Sequence, residues 1–369
     1  MASITKRGKT WQYTVSNMVD GVYKPIRKSG FKTKKEATLA AAEVEMNLKK
    51  GMQVISKDKP FAEYFEEWIE LYKKSKHKNT YARYLISLST VKEYFHNKPI
   101  QKINRSDYQK FLNEYAKGHS PETVRKLNTH IRASVQDAIE AGYISVDFTR
   151  KAQIHGTEEP KKASEKHINF DESVILYNTL FRKLDIRYLS NYLILLGLVS
   201  GARFGELVGL TKEDFDFENN RINIDKAWDY KYGSGFTDTK NKNSIRKITV
   251  DPNVMAAFKN MFEVVGVTPH NLVFHSPKSH VGVISNEGAN KALKLLLDSL
   301  GIDKITFHGL RHTHASVLLY QKCSIQYVSK RLGHGDIETT LSFYTHVLKE
   351  LEERDEKRAA DIFKSMKNE

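Results

Sequence analysis

Apolar and polar positions along the chain change their period twice, and each change marks a different kind of element. Trp11, Tyr13 and Val15 alternate with polar neighbours, the two-residue period of a half-buried strand. Asp20-Gly21 is a hairpin-turn signal, after which an extended pattern resumes over 23–31. Thr33 and Glu36 make a capping box, and Ala37, Ala40, Ala41, Val44 and Leu48 then mark one face of a helix closed by Gly51. A small three-stranded β-sheet followed by a helix is predicted over 1–55.

From residue 58 the period becomes helical. Pro60 suits a first helical turn, and Phe61, Tyr64, Phe65, Trp68, Ile69 and Tyr72 follow at helical spacing. Tyr81, Tyr84, Leu85, Leu88, Val91 and Phe95 repeat the pattern. Ser106 is a candidate cap for a third helix carrying Tyr108, Phe111, Leu112 and Tyr115, and Ser120-Pro121 opens a fourth with Val124, Leu127, Ile131, Val135 and Ile139. These aromatic stripes read as core. An all-helical domain is predicted over 58–155.

Residues 156–167 lose all periodicity and read as a linker. The remainder, 168–369, is mixed: a buried helix over 189–198, strand-like stretches over 221–224 and 245–250, then several amphipathic helices. The fold class expected is multidomain α+β with a mostly α final domain.

Charge changes the picture. The formal net charge is +15, and residues 1–60 hold thirteen Lys/Arg against five Asp/Glu, which points to a polyanionic partner, nucleic acid above all. Lys24, Arg27, Lys28 and Lys32 are expected to form a basic face on the first sheet, and Lys73, Lys74 and Lys76 a basic loop able to meet phosphates. A single cysteine, Cys323, excludes an internal disulfide and a cysteine zinc cluster. No apolar run is long enough to span a bilayer, and the first residues lack the apolar core of a secretion signal, so a cytosolic location is expected.

Several chemistries are missing from the sequence. It contains no GxxxxGK[ST] loop, no GxGxxG fingerprint, no GxSxG elbow and no HExxH helix. His308 and His312 are four apart and could chelate zinc, but no third ligand accompanies them. What is present is directed at phosphate. Arg203 follows a glycine turn in Ser200-Gly201-Ala202-Arg203-Phe204-Gly205-Glu206, and its fork matches two phosphate oxygens. Glu206 reads as a structural partner for a basic neighbour. His308 and Arg311 lie one turn apart in Thr306-Phe307-His308-Gly309-Leu310-Arg311-His312. Leu332-Gly333-His334 follows, and Tyr344 stands ten residues beyond His334, with Thr345-His346 after it.

This ordered set of ARxGE, HxLRH, LGH and a tyrosine resembles the tyrosine recombinases of the phage-integrase family over about residues 165–369. The upstream segments are similar, more loosely, to the arm-binding and core-binding domains of integrases from temperate phages and conjugative transposons. The resemblance implies that Tyr344 is the nucleophile of a 3′-phosphotyrosine intermediate and that Arg203 and Arg311 clamp the non-bridging oxygens. It implies His308 as general base or acid, His334 as a hydrogen-bond donor to the phosphate, and Lys240 as the proton source for the leaving 5′-oxygen, with Lys242 its rival.

It further implies integration and excision of a mobile element through a Holliday junction, with no metal and no ATP. The partners would be double-stranded DNA at core and arm sites, three further copies of the chain in a homotetramer, and, by analogy, an excisionase and a DNA-bending protein. The host cytosol, at the nucleoid, is the expected location, and no membrane partner is expected. A type IB topoisomerase and a DNA-binding regulator with a decayed active site are the alternatives; the first is disfavoured by the LGH box and the arm-like N-terminus, the second by the intact arginines and tyrosine.

Overall fold

The computed structural model describes residues 2–19, 22–49, 58–159, 166–239, 241–338, 340 and 341. The chain divides into two units, Met1–Pro160 and Lys161–Glu369.

In the first unit the alternating stretch forms an antiparallel sheet of order β1-β2-β5, from β1 (Ser3–Arg7), β2 (Thr10–Val15) and β5 (Ile26–Phe31). The expected single extended run is divided: β3 (Met18–Val19) pairs with β4 (Val22–Tyr23) as a separate ribbon on either side of Asp20-Gly21, which lie outside the described residues. Helix α1 (Lys34–Lys49) follows its capping box, in which the Glu36 N–H donates to Thr33 Oγ1 at 3.2 Å and Glu36 Oε2 accepts from the Thr33 N–H at 3.4 Å. Ala41 and Val44 of α1 pack on Tyr13, Val15 and Ile26.

Register corrects the expected basic face. Val15 pairs with Ile26, Thr14 with Arg27 and Tyr13 with Lys28. Because neighbours across a pair share a face, Lys28 lies on the helix side with buried Tyr13 and Ile26, and Arg27 lies on the open side with Thr14. Lys24 and Lys32 fall outside the sheet strands. The open face is therefore mainly hydroxyl and amide in character, with Gln12 Nε2 donating to Thr5 Oγ1 at 3.0 Å.

The helical part comprises α2 (Phe61–Tyr72), α3 (Lys78–Phe95), α4 (Arg105–Tyr115) and α5 (Pro121–Glu140). Phe61, Phe65, Trp68, Tyr108 and Phe111 fill its centre. The polar tips of the buried aromatics find partners, with Tyr64 Oη donating to the Ser134 carbonyl at 3.1 Å and Tyr108 Oη to Asn128 Oδ1 at 2.9 Å.

Three sequence expectations are corrected here. The cap of α4 is Asn104, in a reciprocal box with Asp107, because Asn104 rather than Ser106 sits where the first free N–H groups point. Leu85 and Tyr72 are exposed, since each lies on the shoulder of its stripe. Residues 156–158 do not behave as a linker: the Gly118 N–H donates to Thr157 Oγ1 at 2.8 Å, and Thr157 Oγ1 donates to the Ala116 carbonyl at 3.1 Å.

The second unit is built round α7 (Leu189–Ser200), apolar on every side and correspondingly buried. Packed with it are α6 (Phe170–Arg182), α8 (Phe204–Val208), α9 (Pro252–Val264), α10 (Asn286–Leu300) and α11 (Phe307–Tyr320), with α12 (Ile325–Leu332) against α11. A sheet of order β10-β7-β6 closes one side, from β6 (Phe215–Asp216), β7 (Arg221–Ile224) and β10 (Arg246–Thr249). The separate hairpin of β8 (Lys226–Trp228) and β9 (Phe236–Asp238) precedes β10. At Gly197 an added Cβ would lie 3.0 Å from Phe307, so this glycine lets α7 and α11 approach closely. Among the described residues no helix is long and apolar enough to cross a membrane.

Candidate phosphoryl-transfer site

Arg203 stands at the N-terminus of α8, immediately after α7 ends on Gly201. Gly201 has φ +64°, and a Cβ there would meet the His314 ring at 2.6 Å, so the turn before Arg203 requires glycine on two counts. The Arg203 guanidinium is fixed on three sides: Nη1 donates to Glu206 Oε1 at 2.7 Å and to Ser244 Oγ at 2.9 Å, and Nη2 donates to the Gly333 carbonyl at 3.1 Å. Its side chain remains partly exposed, whereas Glu206 is buried.

Arg311, on the buried side of α11, donates from Nη1 to the Gly201 carbonyl at 2.8 Å. His334 follows the left-handed Gly333 that terminates α12, and its Nδ1 is bonded to Thr340 Oγ1 at 2.7 Å. The Arg203 box thus meets two boxes more than a hundred residues further along the chain, at the backbone carbonyls of Gly201 and Gly333.

Electrostatics follow from this crowding of guanidinium groups. Burial would raise the Glu206 carboxyl, but Arg246 and Arg203 together hold it below the ordinary value, so it is a carboxylate. Burial, with Arg311 and Arg203 nearby, pushes His334 down to about 4, and the ring is neutral at neutral pH. His312 is pushed down to about 4 by burial and by His308 and Arg311. His314 is pushed down to about 3 by burial and by Arg331; its Nδ1 bonds the Leu198 carbonyl at 2.9 Å, and Nε2 accepts from Arg331 Nε at 2.9 Å.

His308 is exposed near the start of α11. Its ring lies edge-on to His312 at 5.0 Å, while Arg311 turns inward. Among the described residues no group of three or more His, Cys, Asp or Glu is placed to hold a metal. Lys242 is exposed at the start of a short 3-10 turn, Lys242–Ser244. Lys240 and Tyr344 lie outside the described residues. Of the expected DNA contacts, Lys73 Nζ sits 4.3 Å over the Trp68 ring, Lys74 pairs with Glu70 at 2.8 Å, and Lys76 is exposed.

Sequence reading missed Arg246, Ser244, His314, Arg331 and Thr340. The one signal available was the isolated Glu206, whose carboxylate needed more positive charge than Arg203 supplies.

The pattern of the phage integrase family matches residues 166–350, that of an arm DNA-binding domain matches residues 2–48, and that of the N-terminal SAM-like domain of phage integrases matches residues 60–116. The chain is 27% identical to a tyrosine recombinase XerC-like protein of Caldanaerobacter subterraneus subsp. tengcongensis, covering 93% of this chain and 94% of that one. It is 26% identical to the integrase of Staphylococcus phage L54a, covering 70% and 80%. In three dimensions it is similar to the integrase of the Tn1549 transposon in complex with transposon right end DNA. The TM-score is 0.66 at 19% identity, over 80% of this chain and 99% of that one.

Proposed function

The chain belongs to the phage integrase family and is a site-specific tyrosine recombinase, and from that premise we propose how its residues divide the reaction. Tyr344 Oη attacks the scissile phosphorus, forming the P–O bond of a 3′-phosphotyrosine as the bond to the 5′-oxygen breaks. Arg203 and Arg311 neutralise the two non-bridging oxygens as charge grows in the pentacoordinate state. His308 accepts the tyrosine proton. Neutral His334, with Nδ1 held by Thr340, donates from Nε2 to a phosphate oxygen. Lys240 protonates the leaving 5′-oxygen, Lys242 being the alternative donor. The ester preserves the energy of the broken bond, so religation to a new 5′-hydroxyl needs neither metal nor ATP.

The observation that carries this reading is the convergence of the Arg203, Arg311 and His334 boxes on the Gly201 and Gly333 carbonyls. Two guanidinium groups tied to backbone carbonyls supply preorganised positive charge, and a neutral imidazole tied to Thr340 supplies a hydrogen-bond donor, as a phosphoryl transition state requires. The protein acts on double-stranded DNA. We infer that it works as a homotetramer on paired core sites, with the N-terminal module on separate arm sites, to integrate and excise a mobile element. An excisionase, a DNA-bending protein and the host cytosol complete the proposal.

The test uses a nicked DNA carrying the attachment site recovered from the gene's genomic flank, incubated with the full chain in EDTA and run on a denaturing gel. A covalent adduct is expected with the wild type and none with Tyr344→Phe, which keeps the ring and loses the nucleophile. An adduct that persists in Tyr344→Phe, or that needs added Mg²⁺, sinks the assignment.

A further inference from the structure

Beside the site stands an arginine that lies in none of the four sequence boxes. Arg246, the first residue of β10, is buried, and three of its N–H groups reach three separate parts of the site. Nη2 donates to Glu206 Oε2 at 3.0 Å. Nε donates to the Arg331 carbonyl at 2.6 Å, at the end of α12 just before Gly333 and His334. Nη1 donates to the Ser244 carbonyl at 2.7 Å, in the turn that follows the lysine segment.

We propose that Arg246 is a positioning residue: one buried guanidinium that holds the Arg203 box, the lysine turn and the His334 turn in register, and so sets the aim of the Arg203 clamp. Three further observations show how closely these parts are fitted. Arg203 Nη1 shares itself between Glu206 Oε1 and Ser244 Oγ, so it is braced by the same two residues that Arg246 holds. A Cβ on Gly333 would lie 3.0 Å from the Asn243 carbonyl, 3.0 Å from Ser244 Cα and 3.1 Å from Arg246 Nη1. Asn243 Nδ2 also donates to the Gly335 carbonyl at 3.1 Å, tying the lysine turn to the residue after His334.

Geometry explains why arginine is needed. The three acceptors are a carboxylate and two carbonyls from different segments, reached by three different nitrogens of a rigid plane. An ammonium has three donors but one nitrogen, so a lysine here can satisfy the carboxylate and leaves at least one turn untied. The untied turn would then no longer hold Ser244 Oγ or the Gly333 carbonyl firmly against the Arg203 guanidinium, and Arg203 would shift with it.

This inference rests on the reading of Arg203 as a clamp on phosphate charge, and the test separates the two. Full-length wild type, Arg246→Lys and Arg246→Gln are compared on the nicked site, once with a normal scissile phosphate and once with a methylphosphonate, which lacks the charge the clamp neutralises. Adduct formation by Arg246→Lys on the phosphate is expected to slow on the order of 10²-fold, the effect of an ångström-scale misplacement. DNA affinity is expected to stay within a few-fold of wild type. The defect should shrink on the methylphosphonate, because a misaimed clamp matters less when there is less charge to meet.

Equal slowing on both substrates, or slowing that only tracks lost DNA binding and lowered Tm in both variants, would make Arg246 a packing residue and overturn the proposal. Wild-type protein that forms no adduct on either substrate would instead sink the strand-transfer reading itself.

Discussion

At the scale of single residues, the site is held by groups whose surroundings lock them in one protonation state. His314 is the clearest case, because its two nitrogens are committed in opposite senses: Nδ1 donates to the Leu198 carbonyl and Nε2 accepts from Arg331. Burial, and the Arg331 guanidinium that a second proton would confront, favour the neutral ring and push its pKa down to about 3. His312 and His334, at about 4, behave alike. A histidine depressed in the fold binds fewer protons than in the unfolded chain between the two pKa values. Its contribution is therefore complete above about 6.5 and is lost as pH falls toward 3 or 4, at roughly 1.4 kcal/mol per unit. The Tm of the full chain should fall as pH is lowered from 7.5 to 5. His314→Gln should start lower at pH 7.5 and lose less over the same interval; an identical loss in both would remove His314 from the argument. Glu206 is the complementary residue, a buried carboxylate between two guanidiniums. Glu206→Gln should lower stability by about 3–5 kcal/mol, the cost of leaving buried charge uncompensated, read as a reduced denaturant midpoint.

At the scale of elements, the sequence was most legible where local chemistry decides the outcome. The capping box at Thr33 and Glu36, the Ser120-Pro121 helix start and the apolar stripe of Phe61, Phe65 and Trp68 all depend on neighbours within a turn or two, and all appear where expected. The basic sheet face failed because a strand's register, not its composition, decides which side Lys28 takes. The Ser106 cap failed because Asn104 two residues earlier makes the better reciprocal box with Asp107. Within the site, Arg203, Arg311 and His334 were visible as motif positions, whereas Arg246 and His314 become meaningful only once segments distant in sequence are packed together. Gly333 joins both levels: it is a motif letter, and it is also the left-handed cap of α12 at φ +69°, where a Cβ would press at 3.0 Å on the Asn243 carbonyl and Ser244 Cα. Gly333→Ala should cost about 1–2 kcal/mol from the backbone alone. It should also shift the His334 turn away from Asn243 and Ser244, so adduct formation should drop more than Tm suggests. Wild-type cleavage by this variant would show that the turn tolerates displacement.

At the scale of the whole molecule, a net charge of +15 does not translate directly into DNA contacts. Cations that look alike in the sequence have been assigned different physical tasks. Lys73 lies over the face of Trp68 at 4.3 Å, where its charge is engaged by the ring and its stem covers the aromatic surface of the helical bundle. Arg27 stands on the open side of the N-terminal sheet, the side that carries Thr14 and faces away from α1. The two should therefore separate in a salt titration. Each phosphate contact contributes about 0.9 to the slope of log affinity against log salt. Arg27→Ala should flatten the slope for full-length protein on arm-site DNA by about that amount and leave the Tm near its wild-type value. Lys73→Ala should lower the Tm, by an amount consistent with about 0.5–1 kcal/mol of lost cation–π attraction, and leave the slope unchanged. Fluorescence anisotropy across a range of NaCl concentrations reads the first effect and thermal unfolding reads the second. If Lys73→Ala flattens the slope instead, the ring contact gives way to phosphate in the complex, and the loop of Lys73, Lys74 and Lys76 is part of the DNA interface after all.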